Sequence, residues 1–104
     1  MRRGEVWWSE LGPPAGLRPV LLLSRDESCA IRSLVIVASI TTRIRHTPSE
    51  VFFGADDGMP RDCVANLDTI TTIPKDCLRS RLVGLNAQKL REIDAAIRFA
   101  LGLE

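Results

Sequence analysis

The chain has 104 residues, 45% of them apolar, and a formal net charge of +1. That size suits a single small domain over residues 1–104 with one core. It excludes a bilayer-spanning helix, because no apolar run approaches about 20 residues, and it excludes a global field attractive to polyanions.

The N-terminal Met1-Arg2-Arg3-Gly4 lacks the apolar segment of a secretory signal, so a cytoplasmic protein is expected. Residues 5–9 (Glu-Val-Trp-Trp-Ser) read as a short strand. Residues 12–16 (Gly-Pro-Pro-Ala-Gly) stop it, since two prolines remove donors and the glycines permit tight bends. Residues 19–23 and 34–40 form the second and third strands. Neither alternates apolar with polar, which predicts burial on both faces. Glu50 to Phe53 is a fourth strand, and residues 63–73 a longer fifth one. In the fifth, Cys63, Ala65 and Leu67 share a face, and the apolar parity then shifts to Ile70. A bulge or bend near Asp68-Thr69 is the simplest cause.

The last segment changes period. Asn86 is a helix N-cap candidate. Leu90, Ile93, Ile97, Ala100 and Leu101 then recur at helical spacing. Asp94 precedes Arg98 by four residues, the favourable order for a helical ion pair, and Gly102 is a good stop. Short strands followed by one terminal amphipathic helix predict a mainly β (α+β) fold. The expected form is a bent antiparallel sheet or partly open barrel with the helix packed on it.

Cys29, Cys63 and Cys77 have no C-x-x-C spacing, and His46 is the only histidine. Neither a disulfide framework nor a metal site is suggested, and no cofactor is expected. Among the cations only Lys75 and Lys89 are not arginine. Arginine is the residue for bidentate phosphate contacts. With so small a net charge, any polyanion site must be a local patch.

Familiar catalytic kits are absent: there is no phosphate-binding glycine loop, no zinc-protease helix and no nucleophile elbow. Two polar groups do stand where apolar strands begin or end. Arg18 precedes the second strand, and Thr41-Thr42-Arg43 follows the third. If those strands pair antiparallel, Arg18 and Thr41 meet at one rim of the sheet. A guanidinium beside a hydroxyl donor suits a phosphate oxyanion. Read from the residues alone, the alternative is that Arg18 caps loop carbonyls, with the threonines as ordinary β formers.

The stretches RRGEVWW, RPVLLLS, VIVASITT and RDCVANLDTITTIPK, in this order, resemble the MazF/PemK toxins of bacterial type II toxin–antitoxin systems over nearly the whole chain. The resemblance implies an SH3-like barrel of the CcdB/PemK type with a C-terminal helix. It also implies a homodimer and a metal-independent, sequence-specific endoribonuclease acting on single-stranded RNA. The family's catalytic arginine and threonine fall on Arg18 and Thr41. Its RNA groove falls on the loop of residues 12–17, on Thr42 and Arg43, and on Asp68 and Thr69. The first loop departs from the family: it is shortened and lacks polar side chains.

The implied reaction is attack of a ribose 2′-hydroxyl on the adjacent phosphorus, leaving a 2′,3′-cyclic phosphate and a 5′-hydroxyl. Arg18 and Thr41 would stabilise the phosphorane. A guanidinium ordinarily titrates above pH 12, which makes it a poor base, and Glu50 is a candidate by charge alone. The implied partner is a MazE-like antitoxin whose acidic, disordered tail would run along Arg18, Arg43, Arg79 and Arg81. Competing readings are a CcdB-like poison of a protein target and an inactive SH3-like binding module.

Overall fold

The computed structural model describes residues 1–103. Six strands form one antiparallel sheet in the order β4-β5-β3-β2-β1-β6. They are β1 Glu5–Glu10, β2 Leu17–Leu22, β3 Leu34–Thr41, β4 Glu50–Phe53, β5 Cys63–Pro74 and β6 Leu78–Gly84. A short helix, α1 (Asp26–Ile31), bridges β2 and β3, and α2 (Ala87–Leu101) closes the chain. The five expected strands and the terminal helix are present. The sequence reading missed α1 and β6. At six residues α1 is too short to display a helical period. The strand β6 carries Arg79 and Arg81 on an exposed edge, so its apolar content is low.

The sheet curls into an open half-barrel. Its bend sits where expected, in β5. Ala38 pairs with Ile70 but Ser39 pairs with Asn66, so Leu67, Asp68 and Thr69 form a bulge against β3. The Leu67 amide donates instead to the Ser49 carbonyl at 2.8 Å. The loop after β4 then reaches the far edge strand. Gly58, at φ +85°, lies so close to Val83 of β6 that a Cβ there would stand 2.9 Å from its side chain.

Two cores follow from the curl. Between the sheet and α2 lie Val6, Leu21, Ala38, Phe53, Leu67 and Ile93. On the other face Val20, Leu22, Val35, Val37 and Ile73 pack with Trp7 and Leu78. The strand β2 thus contributes to both cores, as its unbroken apolar run predicts. The expectation for β3 holds only in part. Leu34 and Ile36 are each 44% exposed, because α2 does not extend over that end of the strand.

Helix α2 starts and stops as expected. Asn86 Oδ1 accepts the Lys89 amide at 2.9 Å, and Gly102 adopts φ +69°. Ile93 and Ala96 are its buried positions, whereas Leu101 is exposed, one position too far along for the sheet to cover. Asp94 meets Arg3 at 2.7 Å, tying the helix to the N-terminus. Lys89 donates to the Phe52 carbonyl and lies 3.8 Å from Asp57, tying it to β4.

The N-terminal motif has a structural explanation. Glu5 accepts the Arg2 amide at 2.8 Å, Trp7 Nε1–H at 3.0 Å and Arg81 Nε–H at 2.9 Å. One carboxylate therefore joins the N-terminus, β1 and β6. Burial alone pushes its pKa up, but these donors outweigh burial and leave it below the ordinary range. A depressed folded-state pKa contributes stability above the unfolded value, about 4.3, that disappears as pH falls through the folded value. Glu5→Gln is expected to lower the unfolding midpoint at pH 7 and to flatten its decline below about pH 4.3. Urea melts of both proteins from pH 7 to pH 3 check this; parallel curves would be the contrary result.

Candidate active site

The antiparallel register between β2 and β3 places the start of one beside the end of the other. Leu22 pairs with Val37, and Val20 with Ser39. Continued by two residues, the same register sets Arg18 opposite Thr41. Both line each of two recesses that flank them, one of about 250 Å³ and one of about 280 Å³. The pair therefore stands on a ridge between two pockets.

Arg18 is anchored at three points. Its backbone faces Ser9 across the β1–β2 ladder. The hydroxyl of Ser9, fully buried, donates to the Arg18 carbonyl at 2.8 Å. Its Nε–H donates to the Ala15 carbonyl at 2.9 Å, inside the loop that Gly12 and Gly16 close with positive φ. The loop-capping reading is thus correct for Nε. The terminal Nη1 and Nη2 make no hydrogen bond among the described residues, so the fork that recognises oxyanions is left open.

Thr41 is half-buried. Its Oγ1 accepts the Arg43 amide at 3.1 Å, a local turn that occupies the oxygen and leaves the hydroxyl hydrogen for an acceptor in the recess. Thr42 also lines the recess on the Leu82 side. Two open guanidinium nitrogens and a hydroxyl donor make a receptor for a tetrahedral or trigonal-bipyramidal oxyanion.

The other predicted residues fall elsewhere. Arg43 is exposed and lines neither recess, nor do Asp68 and Thr69 on the β5 bulge. Asp68 accepts from the buried Ser49 at 2.5 Å, and Ser49 contacts Thr47 at 3.0 Å. Glu50 is corrected as a base candidate. Its Oε1 accepts the Arg45 and His46 amides, both at 2.9 Å, so it pins the loop after β3 and stands outside both recesses. His46 is exposed at φ +59° in that loop. Arg81 is held by Glu5, and Arg79 donates to the Asp76 carbonyl at 2.6 Å, which removes Arg81 from the free cations expected for an acidic partner.

Among the described residues, no carboxylate or imidazole lines either recess. Cys63 does line one, but burial, with Asp62 and Asp57 nearby, pushes its thiol pKa up, so it is no ready nucleophile. Sequence reasoning missed Arg61. It stands in the same recess as Arg18, Thr41 and Thr42. Its signal was available: like Arg18, it is a cation placed just before an apolar strand.

Residues 2–101 match the family described as PemK-like, MazF-like toxin of type II toxin–antitoxin system. A probable endoribonuclease MazF2 of Mycobacterium tuberculosis is 37% identical over 103 residues, covering 98% of this chain and 99% of that protein. The endoribonuclease MazF of Staphylococcus saprophyticus is 32% identical over 111 residues, covering 99% and 92%. A solved mycobacterial endoribonuclease in complex with its cognate antitoxin is similar at TM-score 0.88 and 30% identity, covering 100% of this chain and 97% of that one.

Ser9→Ala removes the buried donor to the Arg18 carbonyl. A loss of about 1 kcal/mol is expected, read as a lower urea midpoint at unchanged m-value. An unchanged midpoint would mean that Ser9 does not hold the arginine strand.

Proposed function

The chain belongs to the PemK-like, MazF-like toxin family of type II toxin–antitoxin systems, and from that premise we propose that Arg18 and Thr41 are its catalytic pair. The protein is an RNA-cleaving endoribonuclease toxin neutralised by a cognate antitoxin. The observation that carries the site assignment is the open Nη fork of Arg18 beside the Thr41 hydroxyl, on a ridge between two recesses. RNA would lie across that ridge with the scissile phosphate on the pair and its neighbours to either side.

The chemistry is that of charge stabilisation. The substrate supplies its own nucleophile, the 2′-hydroxyl. As its oxygen adds to phosphorus, negative charge grows on the non-bridging oxygens, where Arg18 Nη1–H and Nη2–H and the Thr41 hydroxyl donate. The bond to the 5′-oxygen then breaks, leaving a 2′,3′-cyclic phosphate and a 5′-hydroxyl. With no carboxylate or imidazole in the recesses, the proton from the 2′-hydroxyl passes to solvent, and the leaving oxygen is protonated from solvent or by Arg18. This route needs no metal. Among the described residues no group of three or more His, Cys, Asp or Glu side chains could hold one.

Thr42, Arg43, Asp68 and Thr69 would extend the RNA surface beyond the pair. The first loop, with its Gly-Pro-Pro-Ala-Gly composition, offers only backbone groups to a base. The active form is a homodimer, built around a two-fold axis. Exposed Leu34 and Ile36 on β3 and Ile31 on α1 supply apolar surface for it. The antitoxin's acidic segment would compete with RNA for Arg18 and Arg43. No helix among the described residues is long and apolar enough to cross a membrane, and cleavage of cellular RNA places the proposed action in the cytoplasm.

Arg18→Ala is expected to lower kcat by about 10²–10³-fold with little change in the urea midpoint. Arg18→Lys should recover only part, because a point charge cannot span two oxygens. Thr41→Val should be impaired and Thr41→Ser near normal. Single-turnover cleavage of a long RNA reads all four, and full activity in Arg18→Ala would remove the assignment. Because no carboxylate or imidazole is available as base, the logarithm of the cleavage rate should rise with pH across pH 5.5 to 8.5 without a bell. A bell with limbs in that range would require a titrating base in the site.

A further inference from the structure

Away from the catalytic pair, a recess of about 170 Å³ opens between α1 and the paired strands β3 and β5. It lies at the far end of β2: Ser24, on its wall, follows Arg18 by six residues, roughly 20 Å of extended chain. One side of the recess is a single face of α1. Arg25 at the N-terminal flank, Ser28 within the helix and Arg32 at the C-terminal flank are spaced by three and then four residues. The sheet supplies Thr72, paired with Ile36 across the β3–β5 ladder, and the apolar lip of Leu34 and Ile36.

Ser28 is only 7% exposed, yet its hydroxyl makes no hydrogen bond among the described residues. No fully buried side-chain oxygen among them lacks a partner, so the Ser28 hydroxyl is open to the recess that it lines. Hydroxyls this deep ordinarily find a partner within the protein. Ser24, 5% exposed, accepts the Ile36 amide at 2.7 Å, which occupies its oxygen and leaves its hydrogen to donate. The side chains of Arg25 and Arg32 make no hydrogen bond or ion pair among the described residues. No carboxylate lines the recess among those residues, and Asp26, the acidic neighbour of Arg25, accepts the Arg3 amide at 2.8 Å. The recess therefore gathers guanidinium and hydroxyl donors around a space with no acceptor in it.

The donors stand on a fixed mount. The Leu23 amide donates to the Ile36 carbonyl and the Arg32 amide to the Ser28 carbonyl, both at 2.9 Å. Buried Cys29 packs its thiol against the Ser24 carbonyl, and Lys75 Nζ–H donates to the Ala30 carbonyl at 3.4 Å. Donors already in place bind a ligand without the entropy cost of ordering them.

We propose that this recess is a binding site for a phosphate group, free or as a monoester, held between the Arg25 and Arg32 guanidiniums with the Ser28 and Thr72 hydroxyls donating. Planar guanidinium forks match pairs of phosphate oxygens, and a tetrahedral anion has enough oxygens for all four donor groups, which a carboxylate has not. The volume suits such an anion and falls below the usual range for a larger ligand. Leu34 and Ile36 also belong to the surface proposed for the homodimer, so the site stands at the margin of that surface. It is separate from the catalytic pair and does not depend on RNA cleavage there.

The test is an NMR titration of isotope-labelled protein with inorganic phosphate, at ionic strength held constant with chloride. It is run in Arg18→Ala, which removes competing phosphate at the catalytic pair and makes the outcome independent of the nuclease reading. The Ser28 and Arg32 amides should shift saturably. Arg32→Gln, at an exposed position, should weaken binding by about tenfold or more, and Ser28→Ala by about fivefold, each with the rest of the amide spectrum unchanged. Arg32→Lys should recover only part of the loss. A nucleoside 5′-monophosphate is the second probe: Arg32-dependent binding tighter than that of phosphate supports a monoester, and equal binding supports recognition of the phosphate group alone. Shifts that never saturate, saturable shifts that spare α1, or unchanged affinity in Arg32→Gln would overturn the proposal.

Discussion

The antiparallel register of β2 on β3 is the constraint on which the site depends. Leu21 is buried against α2's side of the sheet, and Val20 and Leu22 against the other. Each such side chain stabilises its position by about 1.5–3 kcal/mol. A one-residue slip would exchange the two faces and lose both cores at once. The register is therefore rigid, and with it the placement of Arg18 against Thr41. An exposed, charged side chain is held by apolar packing that begins two residues away.

Curvature supplies the rest. Three extra residues in β5 bend the sheet, and the loop after β4 then meets β6 across the opening. That closure brings Met59, Pro60 and Arg61 to Leu82 and Trp8, and it converts a sheet rim into a walled recess. Polar groups away from the site are spent on holding this shape. Glu5 joins β1 to β6, Glu50 pins the loop after β3, and Lys89 joins α2 to β4. The guanidinium forks of Arg18 and Arg61 stay open in a chain where Arg3, Arg79 and Arg81 are all engaged.

Much of this was legible in the residues, for reasons that differ from one element to the next. The apolar run before Ser24 and the parity shift at Asp68-Thr69 are local patterns with direct structural causes, so β2 and the bulge could be read. The helix from Ala87 carries its own cap and stop. The strand β6 was hidden because an edge strand has only one partner and one covered face, and its arginines look like loop residues. The placement of Arg18 opposite Thr41 needed only an antiparallel pairing. The placement of Arg61 beside them needed the curl, which no local pattern encodes. Glu50 looked available because charge is visible in a sequence, whereas the two amides that occupy it are not.

The site offers donors and no base, so it is suited to a reaction whose nucleophile comes from the substrate. The most direct measurement is cleavage of an RNA whose cut site has been mapped, against the same RNA with a single 2′-deoxy substitution at the nucleotide on the 5′ side of the scissile phosphate. This one missing hydroxyl should abolish the cut while binding persists, and the unsubstituted RNA should leave a 2′,3′-cyclic phosphate and a 5′-hydroxyl. Continued cleavage of the substituted RNA, with a 5′-phosphate on the product, would contradict this chemistry.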